Sequence, residues 1–362
     1  MYIIHEYGEP SHYSGAIKGM AYGDRITYVE FSFFKLMYKR IKQRNIKLVF
    51  KTFYDLFFLF FLFLFPRFLS RQKVILGIAP QDYRLFFIAR ALKYAVVIYH
   101  TSWADWGGGN FPKKYFFSSS LLEKKWRRFL EQKVSAFAVV TDNVKLQITK
   151  NFDVNPDRIF VVYHSFDETM FNIREKSTCS SSKLSVIYAG RFVPEKGILE
   201  ILNAASQLPN CLFYFMGYGV EEIYIKDYAA KYDNIILLGY LKDKEKIAHF
   251  YKKSDVFILP SKRKNGWEEV FGMALIESMA CGCAPISTAH IGPKSIIKNT
   301  YLNCNFISET NITSEVINLL NNLNNNRCEL EKQQKIASDI ASEYSLENIS
   351  SIWNSLFSFV DK

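Results

Sequence analysis

Short apolar runs alternate along the chain with longer segments carrying apolar residues at helical spacing, the pattern of parallel sheets covered on both faces. In the first half, runs at 2–5, 25–31, 74–78, 95–100, 136–141 and 159–163 predict strands, with helices filling the gaps. The apolar period stops around 174–182, where a serine-rich polar stretch reads as a linker. Alternation restarts with strands expected at 184–189, 212–216, 235–238, 256–259 and 284–287, and helical spacing over 198–207 and 273–280. The asparagine-rich stretch 321–326 predicts a turn, and Ile349, Trp353 and Phe357 at four-residue spacing mark a terminal helix. The expected fold class is α/β: a doubly wound domain over 1–171, a linker over 172–183, a second doubly wound domain over 184–345 and a terminal helix over 346–362.

A length of 362 residues, 49% of them hydrophobic, is enough for two domains with separate cores. Six cysteines, none before Cys179, do not form a disulfide framework, so a reducing cytosol is the expected home. Cys281 and Cys283 lack a second ligand pair at zinc spacing and read as small packing residues. The formal charge of +11 favours anionic partners. No nucleic-acid-binding signature accompanies it, so nucleic acid is not an expected partner.

A membrane surface fits the charge better. From 31 to 71 the chain is basic and rich in Phe and Leu, with an apolar run at 56–65 about half as long as the ~20 residues a spanning helix needs. No spanning helix is expected, and the segment starts too late for a signal peptide. It is either a patch lying on an anionic membrane surface or a core helix with a solvated basic neighbour.

In open parallel sheets, ligands gather at the carboxyl ends of strands. After the strand at 184–189, Gly190-Arg191 places a guanidinium at a strand end and Lys196 places an ammonium at the next helix start, a clamp for phosphate. After the strand at 256–259 comes the loop from Gly266 through Glu269, Val270 and Phe271 to Gly272, then the helix at 273–280. Gly272 allows close backbone approach where free helix amides can bind an anion. Glu277, one turn in, leans back toward the same ligand, and Glu269 approaches from the loop. Singly, these are surface charges or a helix-dipole glutamate. Together they suit a ligand with hydroxyls on both sides of a phosphate, which a nucleoside diphosphate sugar is. Met216-Gly217-Tyr218-Gly219, too weak for a nicotinamide motif, lines a base pocket with Tyr240 and Leu241. Trp103, Asp105 and Trp106 either stack on an acceptor sugar or anchor a loop of the N-terminal core.

These residues resemble the donor-site signature of glycosyltransferase family 4 (group 1), retaining GT-B enzymes, most specifically over 185–293 and traceably over 96–171. The resemblance implies two Rossmann-like domains facing across a cleft, with the last helix packing back on the N-terminal, acceptor-side domain. It gives Arg191 and Lys196 the diphosphate, Glu269 the donor-sugar hydroxyls and Glu277 the ribose. His100 resembles the family histidine that faces the donor sugar, and Gly15 or Gly8 the glycines of the first strand-helix loop, although the stretch between them departs from the usual paired glycines. Tyr163 to Asp167 occupies the family's Asn-Gly-Val-Asp turn with substitutions.

The implied activity is retaining transfer of a hexose-type sugar from a nucleoside diphosphate sugar to a glycan or lipid-linked acceptor, with no cofactor and no essential metal. Surface polysaccharide assembly, on the cytoplasmic side and peripheral to the inner face of the cell membrane, is the expected setting. Two rivals are a glycoside hydrolase using the carboxylate pair and a noncatalytic nucleotide-sugar-binding partner protein.

Overall fold

The computed structural model describes residues 1–362 apart from 7–12, 21–24, 108–118, 174–182, 265–266 and 299. Gly8, Gly108, Gly109, Gly266 and the polar stretch 174–182 therefore lie outside the described residues. The chain divides into two compact units, Met1–His164 together with Ile349–Lys362, and Ser165–Asn348. Residues 165–171, expected to close the first domain, group with the second: the Phe166 N–H donates to the Tyr344 carbonyl (3.2 Å) and the Phe171 ring lies 6.2 Å from that of Tyr251.

In the first unit, strands β1 (Tyr2–His5), β2 (Thr27–Glu30), β3 (Lys73–Gly77), β4 (Val96–Thr101), β5 (Val134–Val139) and β6 (Ile159–Val161) form one sheet ordered β2-β1-β3-β4-β5-β6. Every pairing is parallel, so both faces must be covered. One face packs against Leu62, Leu85, Trp126 and Phe129 from the connecting segments. The other is covered partly by the helix Leu346–Val360, whose Ile349, Trp353 and Phe357 are buried among Ile3, Ile75, Ile98 and Ala138.

The helix Ile46–Leu64 departs from an ordinary core helix. Its Thr52, Asp55, Leu59 and Leu62 are buried, whereas Phe50, Tyr54, Phe57 and Phe60 are exposed. Among the described residues no helix is long and apolar enough to cross a membrane.

The second unit holds β7 (Leu184–Arg191), β8 (Cys211–Tyr218), β9 (Ile235–Gly239), β10 (Val256–Leu259), β11 (Ala284–Thr288) and β12 (Phe306–Ile307), ordered β12-β11-β10-β7-β8-β9 and again parallel throughout. From β7 the chain winds outward one way through β8 and β9, then returns to β10 and winds the other way. The reversal between β7 and β10 is a topological switch point, where helix starts and loops diverge and leave a crevice. Both motifs singled out in the sequence follow these two strands.

One expectation is corrected here. Residues 321–326 are not a turn: the helix Ile312–Asn325 runs through them because Val316, Leu320 and Leu323 bury one continuous stripe, which outweighs the weak helix propensity of asparagine. The break falls at Asn326, whose side chain accepts from the Glu329 N–H (3.1 Å) and caps the helix Arg327–Ser342. Cys281 and Cys283 are fully buried, and burial pushes the Cys281 thiol far up, as suits packing residues.

Candidate active site

The site in the second unit starts from the backbone of β7 and β8. Gly190 and Gly217 are paired in register, and a Cβ on Gly217 would sit 1.8 Å from the Gly190 carbonyl oxygen. Two strands approach this closely only with glycine at that position. The chain then exposes Arg191 and turns inward at buried Phe192; the buried Tyr188 hydroxyl fixes the turn by donating to the Arg191 carbonyl (2.8 Å). The Arg191 guanidinium has no hydrogen-bond or ion-pair partner among the described residues.

Lys196, nearly buried at the end of the short helix Pro194–Lys196, places its ammonium on the Glu269 carboxylate and 4.9 Å from the centre of the Trp267 ring. The Ser261 hydroxyl, just past β10, donates to the same carboxylate (3.4 Å). The Glu269 backbone is tied on both sides: its N–H donates to His290 Nδ1 (3.0 Å) and its carbonyl accepts from the Gly292 N–H (2.8 Å). His290 is fully buried; burial and the nearby Arg263 guanidinium lower its pKa, so the ring is neutral and Nδ1 can accept, while Nε2 lies 3.2 Å from the Glu309 carboxylate.

Gly272 caps the helix Met273–Ala280 with φ +96°, a left-handed conformation open to glycine and strained for other residues. Before it, Val270 is half-buried and Phe271 is buried with its ring 6.1 Å from that of Tyr344. Inside the helix, Glu277 is half-buried, and burial pushes its carboxyl up to about 7, only partly offset by Lys244. A carboxyl poised there accepts hydrogen bonds from a diol when ionised. At the ends of β8 and β9, exposed Tyr218 and Tyr240 meet edge to face with ring centres 5.0 Å apart, beside half-buried Leu241.

The structure thus gathers Gly190, Arg191, Lys196, Glu269, Val270, Phe271, Gly272 and Glu277 at the carboxyl ends of the adjacent strands β7 and β10, with Tyr240 and Leu241 after β9. His100 and Gly15 belong to the first unit. His100 is buried within β4, its ring 4.8 Å from that of Tyr13 and 6.3 Å from that of Trp353. Gly15 lies in the helix Ser14–Lys18, where a Cβ would meet Ile349 at 2.9 Å and Trp353 at 3.0 Å. Trp103 and Trp106 hydrogen-bond within their own loop, Trp106 being buried in the core, which favours loop anchors. A cavity of about 540 Å³ lies over the edge strand β2, with His5, Ser14, Tyr28, Leu36 and Lys39 on its wall.

Sequence reasoning missed Tyr188, Ser261 and His290, which shape the loops instead of facing a ligand. For His290 the only signal was its place two residues past the end of β11, the strand next to β10.

Two doubly wound parallel-sheet units are the architecture of GT-B glycosyltransferases. Residues 169–339, a little under half of the chain, match the family described as Glycosyl transferases group 1. Among curated proteins it is 26% identical over 191 residues to the lipopolysaccharide 1,2-N-acetylglucosaminetransferase of Salmonella typhimurium, covering 49% of each chain. It is 27% identical over 151 residues to the amylovoran biosynthesis glycosyltransferase AmsK of Erwinia amylovora, covering 40% of this chain and 37% of that one. The match spans half or less of the length of these relatives. Among solved structures, Anabaena Alr3699/HepE in complex with UDP superposes with a TM-score of 0.69 at 15% identity over 99% of both chains. A glycosyltransferase from Rickettsia africae does so with a TM-score of 0.67 at 16% identity over 98% of both.

Proposed function

We propose that the protein is a retaining glycosyltransferase that moves a hexose-type sugar from a nucleoside diphosphate sugar to a glycan or lipid-linked acceptor in surface polysaccharide biosynthesis. It works peripherally at the inner face of the cell membrane, and needs no cofactor or essential metal. The observation that carries this reading is the Lys196–Glu269 ion pair at the β7/β10 switch point, with Arg191 at the end of β7 and the Gly272 helix start after β10.

Cleavage at the anomeric carbon drives negative charge onto the leaving diphosphate, so prearranged positive charge lowers the barrier most. Arg191, Lys196 and the first amides after Gly272 supply it. An arriving diphosphate competes with Glu269 for the Lys196 ammonium, and the freed carboxylate turns to the sugar hydroxyls. Glu277 takes the ribose, and Tyr240 with Leu241 takes the base. For His100 and Gly15 the support is the family resemblance. Relatives named for lipopolysaccharide and amylovoran assembly support a surface glycan product, and neighbours solved with UDP, UDP-glucose or UDP and GlcNAc support a uridine donor.

Purified protein is tested for thermal stabilisation by a panel of nucleotide sugars, and for release of the nucleoside diphosphate when glycan acceptor is added. Stabilisation and acceptor-dependent release are expected with one donor. Release of free sugar from a glycan without any nucleotide would instead establish a hydrolase, and binding without turnover a noncatalytic partner. The anomeric configuration of the product, read by NMR, tests retention.

A further inference from the structure

The helix Ile46–Leu64 is built inside out. Phe50, Phe53, Tyr54, Phe57, Phe60 and Phe61 recur at helical spacing on its exposed side, Phe50 at 71% and Phe57 at 67% exposure. Its polar residues beyond the first turn, Lys51, Thr52 and Asp55, bond toward the protein. Asp55 is buried, accepts the Glu30 N–H (3.2 Å) and pairs with Lys51 (2.5 Å); Arg40 pairs with Glu30 and donates to Thr52, each at 2.5 Å. This buried ionic network fixes the rotation of the helix about its axis, because turning the aromatic stripe inward would leave those charges unpaired. The six rings, roughly 200 Å² each, together expose more than the few hundred Å² that a monomer ordinarily leaves bare. Exposed Phe68 extends the face, its ring 5.2 Å from that of Phe61.

Charge selects what covers it. Residues 31–71 contain nine Lys and Arg against one acid, Asp55, which is already used inward. Arg40 and Lys51 are also used inward, so a second copy of the chain would bring the exposed cations Lys35, Lys39, Lys42, Arg44, Lys47, Arg67 and Arg71 against the same set. Apart from Lys35, the exposed cations gather at the two ends of the stripe, Lys39, Lys42, Arg44 and Lys47 at one and Arg67 and Arg71 at the other, about 28 Å apart for a 19-residue helix. A helix lying in the plane of a bilayer puts both ends among headgroups and the rings between them in the interface.

We propose that this face docks on an anionic phospholipid bilayer, the helix Ile46–Leu64 parallel to the surface and its aromatic stripe inserted. The proposal deepens the peripheral-membrane part of the function above and is independent of the transfer chemistry.

The test is flotation of the full chain with vesicles of phosphatidylcholine alone or mixed with phosphatidylglycerol, at low and high salt. The wild type is expected on the phosphatidylglycerol vesicles, with salt releasing most of it. Replacing Phe50, Tyr54 and Phe57 together by Ser should reduce binding at least tenfold at either salt. Each of Lys42→Gln, Arg44→Gln and Lys47→Gln should weaken it by about fivefold. These side chains are exposed, so circular dichroism should be unchanged, and stabilisation by nucleotide sugar should persist in every variant. Equal binding to both vesicles without salt dependence overturns the proposal, as does a dimer that the Ser replacements dissociate and that ignores vesicles. Lost vesicle binding with intact donor stabilisation removes the anchor and leaves the transferase reading; the converse removes only the latter.

Discussion

The ammonium of Lys196 rests on the carboxylate of Glu269, 73 residues further along the chain, and in the proposed scheme both groups turn to the nucleotide sugar. Their pairing makes a prediction that runs against intuition. Glu269→Gln should bind UDP alone several-fold more tightly than the wild type, because the phosphates no longer compete with a carboxylate for the lysine, while transfer falls. Lys196→Ala should lower kcat by about 10²- to 10³-fold, the scale for losing one preorganised charge-stabilising group. Titration calorimetry with UDP checks the first; weaker UDP binding by Glu269→Gln would remove the competition from the scheme.

Glu277 sets a pH dependence. Its carboxyl titrates at about 7 in the folded chain against an ordinary 4.5, so between those values the folded state holds the extra proton and the unfolded state does not. Stability is then greatest below the lower value and falls as pH rises to the upper one, by on the order of 3 kcal/mol at most for this group, less what solvent screens. Glu277→Gln should flatten that part of the profile and melt higher than the wild type at pH 8, while losing transfer. Melting curves from pH 5 to 8 decide it, and parallel profiles for the two proteins would contradict it.

Two glycines should respond differently to alanine. At Gly272 the nearest atom to a new Cβ is 3.5 Å away, so Gly272→Ala bears only the left-handed backbone and should cost about 1–2 kcal/mol. At Gly217 the Cβ would fall 1.8 Å from a backbone oxygen, and Gly217→Ala should disrupt the β7–β8 pairing and fail to yield folded protein. Soluble expression and denaturant midpoints distinguish the two.

Trp353 is 1% exposed and packs beside His100 and Gly15. Trp353→Ala should destabilise the first unit by about 3–5 kcal/mol, the usual cost of emptying a large aromatic site. Hydrogen exchange would locate the loss in β1, β3 and β4, whose inward residues share its cluster.

That the two motifs sit at neighbouring strand ends was legible in the sequence because each follows an apolar run, and parallel sheets align such ends. Strand runs were found to within a few residues, except the two-residue β12, too short to carry a period. Residues 321–326 misled because asparagine signals turns locally, whereas Leu320 and Leu323 answer to the core. The Lys196–Glu269 pair could not be read, since it joins loops after different strands. Nor could the orientation of the phenylalanine stripe: its period predicts an amphipathic helix, but only the charges from Glu30 and Arg40 decide which side turns inward.

The helix that closes the first sheet face has a consequence for biosynthesis. Ile3, Ile75 and Ile98 are translated early, yet Ile349, Trp353 and Phe357 leave the ribosome only after all of Ser165–Asn348 has been made. The half that is synthesised first is therefore completed last. Until then the part of that face under Ile349, Trp353 and Phe357 stays bare, and a chain cut short before Ile349 would leave it so permanently.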